Sequence, residues 1–298
     1  MKLLSIVFSF KNEEKNLKEL IERTSKSLSE ITSWKYEMIF VNDCSTDKSE
    51  QILLDLQSKY PITIINMSRN FGVGPCVLAG FKHSKGDAII YIDSDLQDPP
   101  EVIKELIKEY EKGAEVVHTV RSKRLGESKI KMFLTVIAYK IINYFSDIPL
   151  HVNAGDFKLI SRKALDKILE LKEFRPYIRG LSVWVGFRQA KVYYVREPRL
   201  SGKSNFSIFG PGPVNEFLTG ITSYSLKPLY LSIILGFFAI FVSLILILHT
   251  IYAKINNLTA LGSAGILISI SFFSGIILLS QGISAIYIAR IFEQVRGR

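Results

Sequence analysis

The amino-acid sequence predicts an α/β domain with a mostly parallel sheet, followed by two transmembrane helices. Short apolar β-type runs alternate with helical patterns through residues 1–120, which is typical of a parallel sheet covered by helices. Polar residues follow four of the apolar runs, as they do where strands end at a ligand site. Two long runs near the carboxyl terminus contain no Asp, Glu, Lys or Arg.

The periodicity of apolar residues places each element in turn. Strands are predicted at residues 3–9, 36–41, 62–67, 88–92 and 115–120. Helices are predicted between them, at residues 13–31, 48–59, 74–84 and 99–112. Pro99 and Pro100 fit the first turn of the last helix, where a missing N–H costs nothing. The first apolar run is too short for a signal sequence and is better explained as a buried strand.

The two uncharged runs, residues 229–251 and 261–289, are long enough to cross a bilayer, since spanning takes about 20 mostly apolar residues. The alternative is a buried helical hairpin, but core helices rarely stay uncharged for so long. Basic residues flank the outer ends of both runs, whereas the loop between them contributes only Lys254. The positive-inside rule therefore predicts a cytoplasmic domain, residues 1–225, and a membrane region, residues 226–298, with a cytoplasmic tail.

Composition excludes several classes of protein. A hydrophobic content of 48% over 298 residues excludes intrinsic disorder. Cys44 and Cys76 are the two cysteines, too few for a disulfide framework, and we expect reduced thiols. The formal net charge is +10, yet no block of Lys and Arg stands out, so we expect anionic lipid headgroups rather than nucleic acid as partners. The four histidines show no ligand spacing, and none is assigned to a metal.

Carboxylates are prominent among the polar residues at the predicted strand ends. In an open parallel sheet, ligands bind beyond the carboxyl ends of the strands. Asp93 and Asp95 leave a buried strand two residues apart, so alternation predicts that they share a side. Paired oxygen ligands suit Mg²⁺ or Mn²⁺, particularly when a substrate diphosphate supplies the other oxygens. The pattern Asp-x-Asp is also commonplace in turns and helix caps, so a structural role is the alternative.

The segment after the second strand has two interpretations. Residues 42–47 could form a polar strand-to-helix turn, with Asp47 as the N-cap of the next helix. Asp43, at the strand end, could instead accept hydrogen bonds from a nucleobase. The residues alone leave this choice open.

Six motifs follow one another along the chain: Asn42-Asp43-Cys44-Ser45-Thr46-Asp47, Arg69-Asn70-Phe71-Gly72, Asp93-Ser94-Asp95-Leu96-Gln97-Asp98-Pro99-Pro100, Gly155-Asp156-Phe157, Trp184-Val185-Gly186-Phe187 and Gly220-Ile221-Thr222-Ser223. Together they resemble the polyisoprenyl-phosphate glycosyltransferases of glycosyltransferase family 2. That group includes dolichol-phosphate mannose synthase and the bactoprenol glucosyltransferases. The resemblance covers nearly the whole chain and includes the two terminal spans typical of the bactoprenol branch.

The resemblance implies a GT-A domain that transfers a sugar from a nucleotide diphosphate sugar to a polyprenyl phosphate in the membrane. It implies nucleoside contacts for Glu13 and Asp43. It implies metal and diphosphate binding for Asp93, Asp95 and Gln97, with Asp95 among the catalytic residues. Asp156 would be catalytic too, orienting the acceptor or the sugar, and its apolar neighbours suggest a semi-buried carboxylate. A purely structural cap is the alternative for Asp156.

Such a transfer needs positive charge in two places. The departing nucleoside diphosphate is stabilised by a divalent cation that bridges its oxygens. The acceptor phosphate, already anionic near neutral pH, needs no strong general base but needs cations that position it beside the donor. The candidates follow the fifth strand or lie near residue 200, and they are Arg121, Lys123, Arg124, Arg199 and Lys203. As ordinary solvated surface, the first three would be unremarkable.

Two segments are candidates for the membrane interface. Residues 129–145 form a helical pattern rich in apolar residues, with Lys on part of its surface. A core helix is the alternative, and the nearby transmembrane spans favour the interface. Residues 211–225 could form a second interfacial segment that leads into the first span.

The sequence therefore predicts a metal-dependent, inverting hexosyltransferase that uses Mg²⁺ or Mn²⁺ and works at the cytoplasmic face of a membrane. A uridine donor is favoured over a guanosine donor because the resemblance is closer to the bactoprenol branch. The alternatives are transfer to another lipid or to a glycan, and a non-catalytic membrane scaffold of the same fold. Glycines in the second span would allow close helix approach, which permits a homo-oligomer.

Overall fold

The structure, a computed structural model, describes residues 1–124, 129–150, 153–171, 173, 176–198, 211–256 and 262–296. The chain divides into two compact units, Met1–Gly220 and Ile221–Arg298. The strands of the first unit are β1 (Lys2–Phe10), β2 (Trp34–Asn42), β3 (Ile62–Asn66), β4 (Ala88–Asp93), β5 (Val116–Arg124), β6 (Ala154–Ser161) and β7 (Gln189–Arg196). Its helices are α1 (Leu17–Ser29), α2 (Ser49–Leu56), α3 (Val73–His83), α4 (Ile103–Glu111), α5 (Lys129–Phe145), α6 (Arg162–Glu170) and α7 (Ile178–Trp184), with α8 (Pro211–Thr222) at its end.

The strands form one sheet in the order β3-β2-β1-β4-β6-β5-β7. β3, β2, β1 and β4 pair in parallel, and so do β5 and β7. Only β6, which lies between β4 and β5, is antiparallel to its neighbours among the described strands. The predicted fold class, an α/β domain with a mostly parallel sheet, is therefore confirmed. The predicted strands are β1 to β5, whereas β6 and β7 were not predicted.

Helices cover both faces of the sheet, because alternate residues of the buried strands point to opposite sides. On β1, Ile6 and Phe8 pack in a core with α1, α2 and α4. Val7, between them, packs with α3 and with residues of α6 and α7. This burial on both faces explains why the strands read as nearly continuous apolar runs.

Helix α3 lies very close to the sheet at Gly80. A Cβ atom at this position would be 2.3 Å from Cγ1 of Val7, so only glycine permits the observed approach. The contact sets how closely α3, which follows the polar loop after β3, approaches the sheet. That loop is part of the site described below.

The second unit contains two long apolar helices, α9 (Lys227–Ile255) and α10 (Ser263–Arg296). The most apolar 18-residue stretches within Lys227–Ile255 and Ile268–Arg296 have mean hydropathies of 3.0 and 1.7, and neither stretch is buried inside the protein. α9 extends beyond the predicted run at both ends, whereas α10 begins inside the predicted run, at Ser263, and extends past its end at residue 289. Their length and apolar exposure are consistent with membrane anchoring and differ from the buried hairpin considered as the alternative.

Candidate active site

The parallel strands β1, β2 and β4 end at the same edge of the sheet. Strand pairing sets Phe10 level with Asn42, and Ser9 level with Asp93. The polar residues that follow these strands therefore lie side by side. The structure thus brings together the segments that carry Glu13, Asp43, Asp93 and Asp95, which the sequence had marked as site residues.

The loops after β1 and β2 are joined by hydrogen bonds. The amide of Asn12 donates to Oγ of Ser45 at 3.0 Å, and the amide of Thr46 donates to Oδ1 of Asn12 at 2.8 Å. The amide of Glu13 donates to Oγ of Ser49 at 2.9 Å. These bonds fix the backbone that presents Glu13 at the edge.

Asp47 lies in the second of these loops, just before α2. Helix α2 begins at Ser49 with Lys48 at the N-cap position, so the prediction that Asp47 is the N-cap was wrong by one residue. Its carboxylate still accepts from the amides of Ser49, at 3.0 Å, and Glu14, at 3.1 Å. Asp47 therefore stabilises the helix start and ties it to the loop after β1.

Asp43 organises the loop that leads into α3. Its Oδ1 accepts from the amide of Phe71 at 2.7 Å, and its Oδ2 accepts from the amide of Gly72 at 3.0 Å. Gly72 has a φ of 87°, a backbone conformation that favours glycine. Burial, together with the neighbouring Asp43 carboxylate, raises the pKa of the Cys76 thiol to about 12. Asp43 thus holds the loop backbone with one hydrogen bond to each carboxylate oxygen. A nucleobase could donate only to the remaining lone pairs of these oxygens.

Asp93 is the last residue of β4 and is held by a tyrosine. The hydroxyl of Tyr91 donates to Oδ1 of Asp93 at 2.7 Å and also bonds to Oγ of Ser9 at 2.9 Å. Burial, and then the charges of Asp95, Asp98 and Asp156, raise the pKa of Asp93 to about 7. Negative charge is therefore concentrated at this point of the edge.

Asp95 lies in the turn after β4, so strand alternation does not place it beside Asp93 as predicted. In this turn Leu96 has a φ of 58° and the amide of Gln97 donates to Oδ1 of Asp95 at 3.2 Å. The charge of Asp95 still reaches Asp93, whose pKa it raises. Among the described residues, no group of three or more His, Cys, Asp or Glu is arranged to hold a metal ion alone. Two carboxylates and an amide oxygen are hard ligands, and they fit a cation that completes its shell with substrate oxygens.

Asp156 lies on β6, next to β4, and its carboxylate is held by a fork of hydrogen bonds. Arg179, in the first turn of α7, donates from Nε to Oδ1 at 2.9 Å and from Nη2 to Oδ2 at 2.5 Å. Burial alone would raise the pKa of Asp156, but Arg179, helped by Lys158 and Arg121, holds it below its ordinary value. The side chain is 22% exposed, as expected for a semi-buried carboxylate, and it pairs with a cation rather than capping a helix.

A second buried carboxylate, Asp98, forms ion pairs with two arginines. Nη2 of Arg121 donates to its Oδ2 at 3.3 Å, and Nε of Arg196 lies 3.4 Å from its Oδ1. The hydroxyl of Tyr194 donates to Asp98 and accepts from Nε of Arg121 at 3.0 Å. Asp98 thus holds the guanidinium groups of Arg121 and Arg196 close to each other.

The other predicted phosphate-binding cations are placed differently from what we expected, or lie outside the described residues. Strand β5 extends to Arg124 because it pairs with the unpredicted β7 over its whole length. Arg121, Lys123 and Arg124 therefore lie within the strand and not after it. The side chain of Arg124, and all of Arg199 and Lys203, lie outside the described part of the chain.

Comparison with known proteins identifies the family. The model of the family described as "Glycosyl transferase family 2" matches residues 5–169, which is more than half of the chain. The protein belongs to glycosyltransferase family 2. The matched segment contains most of β1 and all of β2 to β6, and with them the site residues Asp43, Asp93, Asp95 and Asp156.

Relatives of this glycosyltransferase extend over its whole length. The uncharacterized glycosyltransferase YkcC of Bacillus subtilis (strain 168) is 38% identical over 99% of this chain and 91% of that protein. The SfII prophage-derived bactoprenol glucosyl transferase of Shigella flexneri is 35% identical over 99% of this chain and 95% of that protein. Both matches therefore include α9 and α10.

A solved structure supports the fold. Glucosyl-3-phosphoglycerate synthase from Mycobacterium tuberculosis, in complex with Mn²⁺, UDP-glucose and phosphoglyceric acid, aligns with a TM-score of 0.53. The alignment covers 74% of this chain and 79% of that chain at 16% identity, so it shows a shared fold alone.

Sequence reasoning missed several residues of the glycosyltransferase site. Arg179 and Tyr91 hold the two site carboxylates Asp156 and Asp93, and neither residue was singled out. Asp98 belongs to the motif of residues 93–100, but no function was predicted for it from the sequence. Its position three residues after Asp95 could have indicated a role in the site. For Arg179, nothing in the sequence indicated a bond to Asp156, a carboxylate 23 residues earlier.

Proposed function

We propose that this glycosyltransferase transfers a monosaccharide from a nucleotide diphosphate sugar, preferably a uridine diphosphate sugar, to a polyprenyl phosphate at a membrane surface. The observation that carries the proposal is the match to a bactoprenol glucosyl transferase over 99% of the chain, which includes the strand-end carboxylates and both apolar helices. The geometry of the edge supports it, because Asp93 ends β4, the neighbour of the strand that carries Asp156, and Asp95 lies in the turn directly after β4.

The reaction is a single displacement at the anomeric carbon. An oxygen of the acceptor phosphate forms a bond to this carbon while the bond to the donor diphosphate breaks, and the nucleoside diphosphate leaves with the electron pair. A bound Mg²⁺ or Mn²⁺ would neutralise the negative charge that develops on the diphosphate. Asp93, Asp95 and Gln97 would hold this ion and the diphosphate, and Glu13 and Asp43 would contact the nucleoside.

Asp156 would orient the acceptor or the sugar. Arg179 keeps it ionised and fixes the direction of its oxygens, so it accepts hydrogen bonds and does not donate them. The acceptor phosphate carries its own negative charge and needs no proton removed. Arg121, held in place by Asp98, would attract this phosphate, together with Arg124, Arg199 and Lys203.

The domain is proposed to face the cytoplasm. Lys227 precedes the first apolar run and arginines follow the second, whereas the short connection contributes only Lys254. This bias supports a topology with both ends of the chain inside and the connection outside.

The function can be tested with membranes that contain the full chain, undecaprenyl phosphate, Mg²⁺ or Mn²⁺, and a panel of labelled UDP- and GDP-sugars. We expect label in the organic phase as a glycosyl phospholipid that mild acid cleaves. Asp95→Asn should abolish this transfer, whereas Asp55→Asn, on the exposed surface of α2, should leave it unchanged.

Two other outcomes would contradict the proposal. Metal-dependent nucleotide binding without transfer to undecaprenyl phosphate would indicate another acceptor. A chain that binds no nucleotide in the presence of metal would indicate a non-catalytic scaffold.

A further inference from the structure

Helix α5 has a stripe of exposed apolar side chains. Leu134, Ile137, Ile141 and Tyr144 have exposed fractions of 37%, 37%, 38% and 77%. Their spacing of three, four and three residues places them on one face of the helix. Lys140, also exposed, borders the same face. The helix therefore presents an apolar stripe beside a positive charge.

The opposite face of α5 contacts the candidate site. At about 100° per residue, Tyr139 lies on the far side of the helix from the stripe. Its hydroxyl accepts a hydrogen bond from Nη1 of Arg179 at 3.1 Å. Ile142, on the same inward side, lies against Gly220, where a Cβ atom would be 3.1 Å from Cδ1 of Ile142. The inward face of the helix is thus held in the domain.

Arg179 connects Tyr139 to Asp156. Nε and Nη2 of its guanidinium group donate to the two carboxylate oxygens, and Nη1 donates to the tyrosine hydroxyl. Because the guanidinium group is planar, an ordered bond at Nη1 restricts the plane in which the other two bonds can lie. Two hydrogen-bonded contacts therefore link a surface helix to the site carboxylate.

A lipid surface is the occupant that fits the stripe. The chain carries two apolar helices of membrane-spanning length, so the domain stays close to a bilayer when they are inserted. A helix with an apolar face and flanking lysine is typical of segments that lie in the interface of anionic membranes. The net charge of +10 adds to this attraction.

We propose that α5 is a positioning helix, whose apolar stripe lies in the lipid interface while Tyr139, on its other face, holds Arg179 against Asp156. Docking of the stripe and orientation of the carboxylate are then coupled, so that Asp156 is in place when the domain is seated on the surface that holds the acceptor. This coupling rests on the proposed function. Tyr139 and Arg179 act through Asp156 and are positioning residues.

The coupling can be measured with the full chain in nanodiscs of phosphatidylglycerol and phosphatidylethanolamine that contain undecaprenyl phosphate. Tyr139→Phe removes only the hydroxyl and should lower kcat about tenfold, as expected for the loss of a hydrogen bond to a charged group. KM for the nucleotide sugar should stay within about twofold, because Asp43 and the strand-end carboxylates are unaffected. Tyr36→Phe is the matched control, since it loses a hydroxyl bond to Ser25 of 3.0 Å far from Asp156.

A double-mutant cycle separates coupling from a merely structural effect. The stripe variant, Ile137→Ser with Ile141→Ser, should also lower kcat, and adding Tyr139→Phe to it should cause little further loss. Equal kcat in Tyr139→Phe and Tyr36→Phe would overturn the proposal. Losses that multiply independently would also overturn it, because the two faces would then act separately.

Failure of the proposed function would be visible in a different measurement. If the wild-type chain transfers no sugar to undecaprenyl phosphate, the acceptor assignment is contradicted. The same double-mutant cycle is then measured by the rate at which each variant hydrolyses the nucleotide sugar. Non-additive losses of hydrolysis would support the coupling, and independent losses would overturn it.

Discussion

The guanidinium group of Arg121 lies directly against the backbone of Gly155. A Cβ atom at residue 155 would be 2.7 Å from Nη2 and 3.1 Å from Cζ of Arg121. The first distance is shorter than real Cβ contacts allow and the second is tighter than most of them, so the glycine lets β5 place this arginine against β6 without displacement. The same guanidinium group donates to Asp98, which is fully buried.

Gly155→Ala should therefore displace Arg121 from Asp98. We expect a loss of unfolding free energy of about 1 to 3 kcal/mol from the steric conflict and the weakened buried ion pair. Transfer to polyprenyl phosphate should fall about tenfold or more, since Arg121 is proposed to attract the acceptor phosphate. Thermal melting in detergent and the transfer assay measure the two effects.

Gly236→Ala is the control for this substitution, because a Cβ atom at residue 236 meets nothing within 4 Å. Unchanged transfer in Gly155→Ala would contradict the role given to Arg121. Reduced transfer with unchanged melting would show that displacement of the arginine, and not general destabilisation, causes the loss.

The sequence revealed the part of the site that local patterns determine. Strands β1, β2 and β4 were predicted from their apolar runs, and the strand-end position of Asp43 and Asp93 followed from the same pattern. Contacts between elements that are far apart in the sequence could not be predicted from such local patterns. β6 pairs Ser161 with Ala88, and no local period indicates that an antiparallel strand inserts beside β4.

The ion pairs of the site were unpredictable for the same reason. Arg179 reaches Asp156 because α7 packs against β6, and this packing depends on the whole sheet. A basic residue in a short apolar helix has many possible partners along the chain. The sequence therefore indicated Asp156 but not the cation that keeps it ionised.

Replacing Asp43 by Asn should weaken nucleotide binding through the loop it holds. An Asn side chain has one acceptor oxygen, so it can satisfy only one of the amides of Phe71 and Gly72 and turns an NH₂ group toward the other. An unsatisfied amide costs about 1 to 3 kcal/mol, which corresponds to a rise of about fivefold to 150-fold in Kd for UDP. Calorimetric titration with UDP and Mn²⁺ measures it, and Asp55→Asn should bind UDP as the wild type does.

Removal of the metal should separate the roles of Asp43 and Asp95. Chelation with EDTA should weaken UDP binding at least tenfold in the wild type, because the diphosphate loses the cation between it and the carboxylates. Asp95→Asn should bind UDP weakly with or without Mn²⁺, whereas Asp43→Asn should still respond to the metal. The same titration calorimetry tests this, and an Asp95→Asn chain with the full metal response would refute the assigned ligand.

Lys158 gives a prediction about pH, because it is buried in β6 with Oγ of Ser182 as its hydrogen-bond partner at 3.0 Å. Burial lowers the pKa of its ammonium group from 10.5 to about 8, although the negative charge of Asp156 acts to raise this pKa. Below pH 8 the folded and unfolded chains both carry the charge, and the full cost of burying it opposes folding. Between pH 8 and 10.5 the unfolded chain binds more protons, so this cost falls as pH rises.

Lys158→Met should therefore stabilise the protein at pH 7, and the gain should shrink at pH 9.5. A shift of this size corresponds to about 3 kcal/mol, at about 1.4 kcal/mol per pKa unit, and we expect about 1 to 3 kcal/mol after loss of the bond to Ser182. Melting of both chains in detergent at the two pH values measures the difference, with the exposed Lys35→Met as the control. A variant that is less stable than the wild type at pH 7 would show that the ammonium group stabilises Asp156 by more than its burial costs.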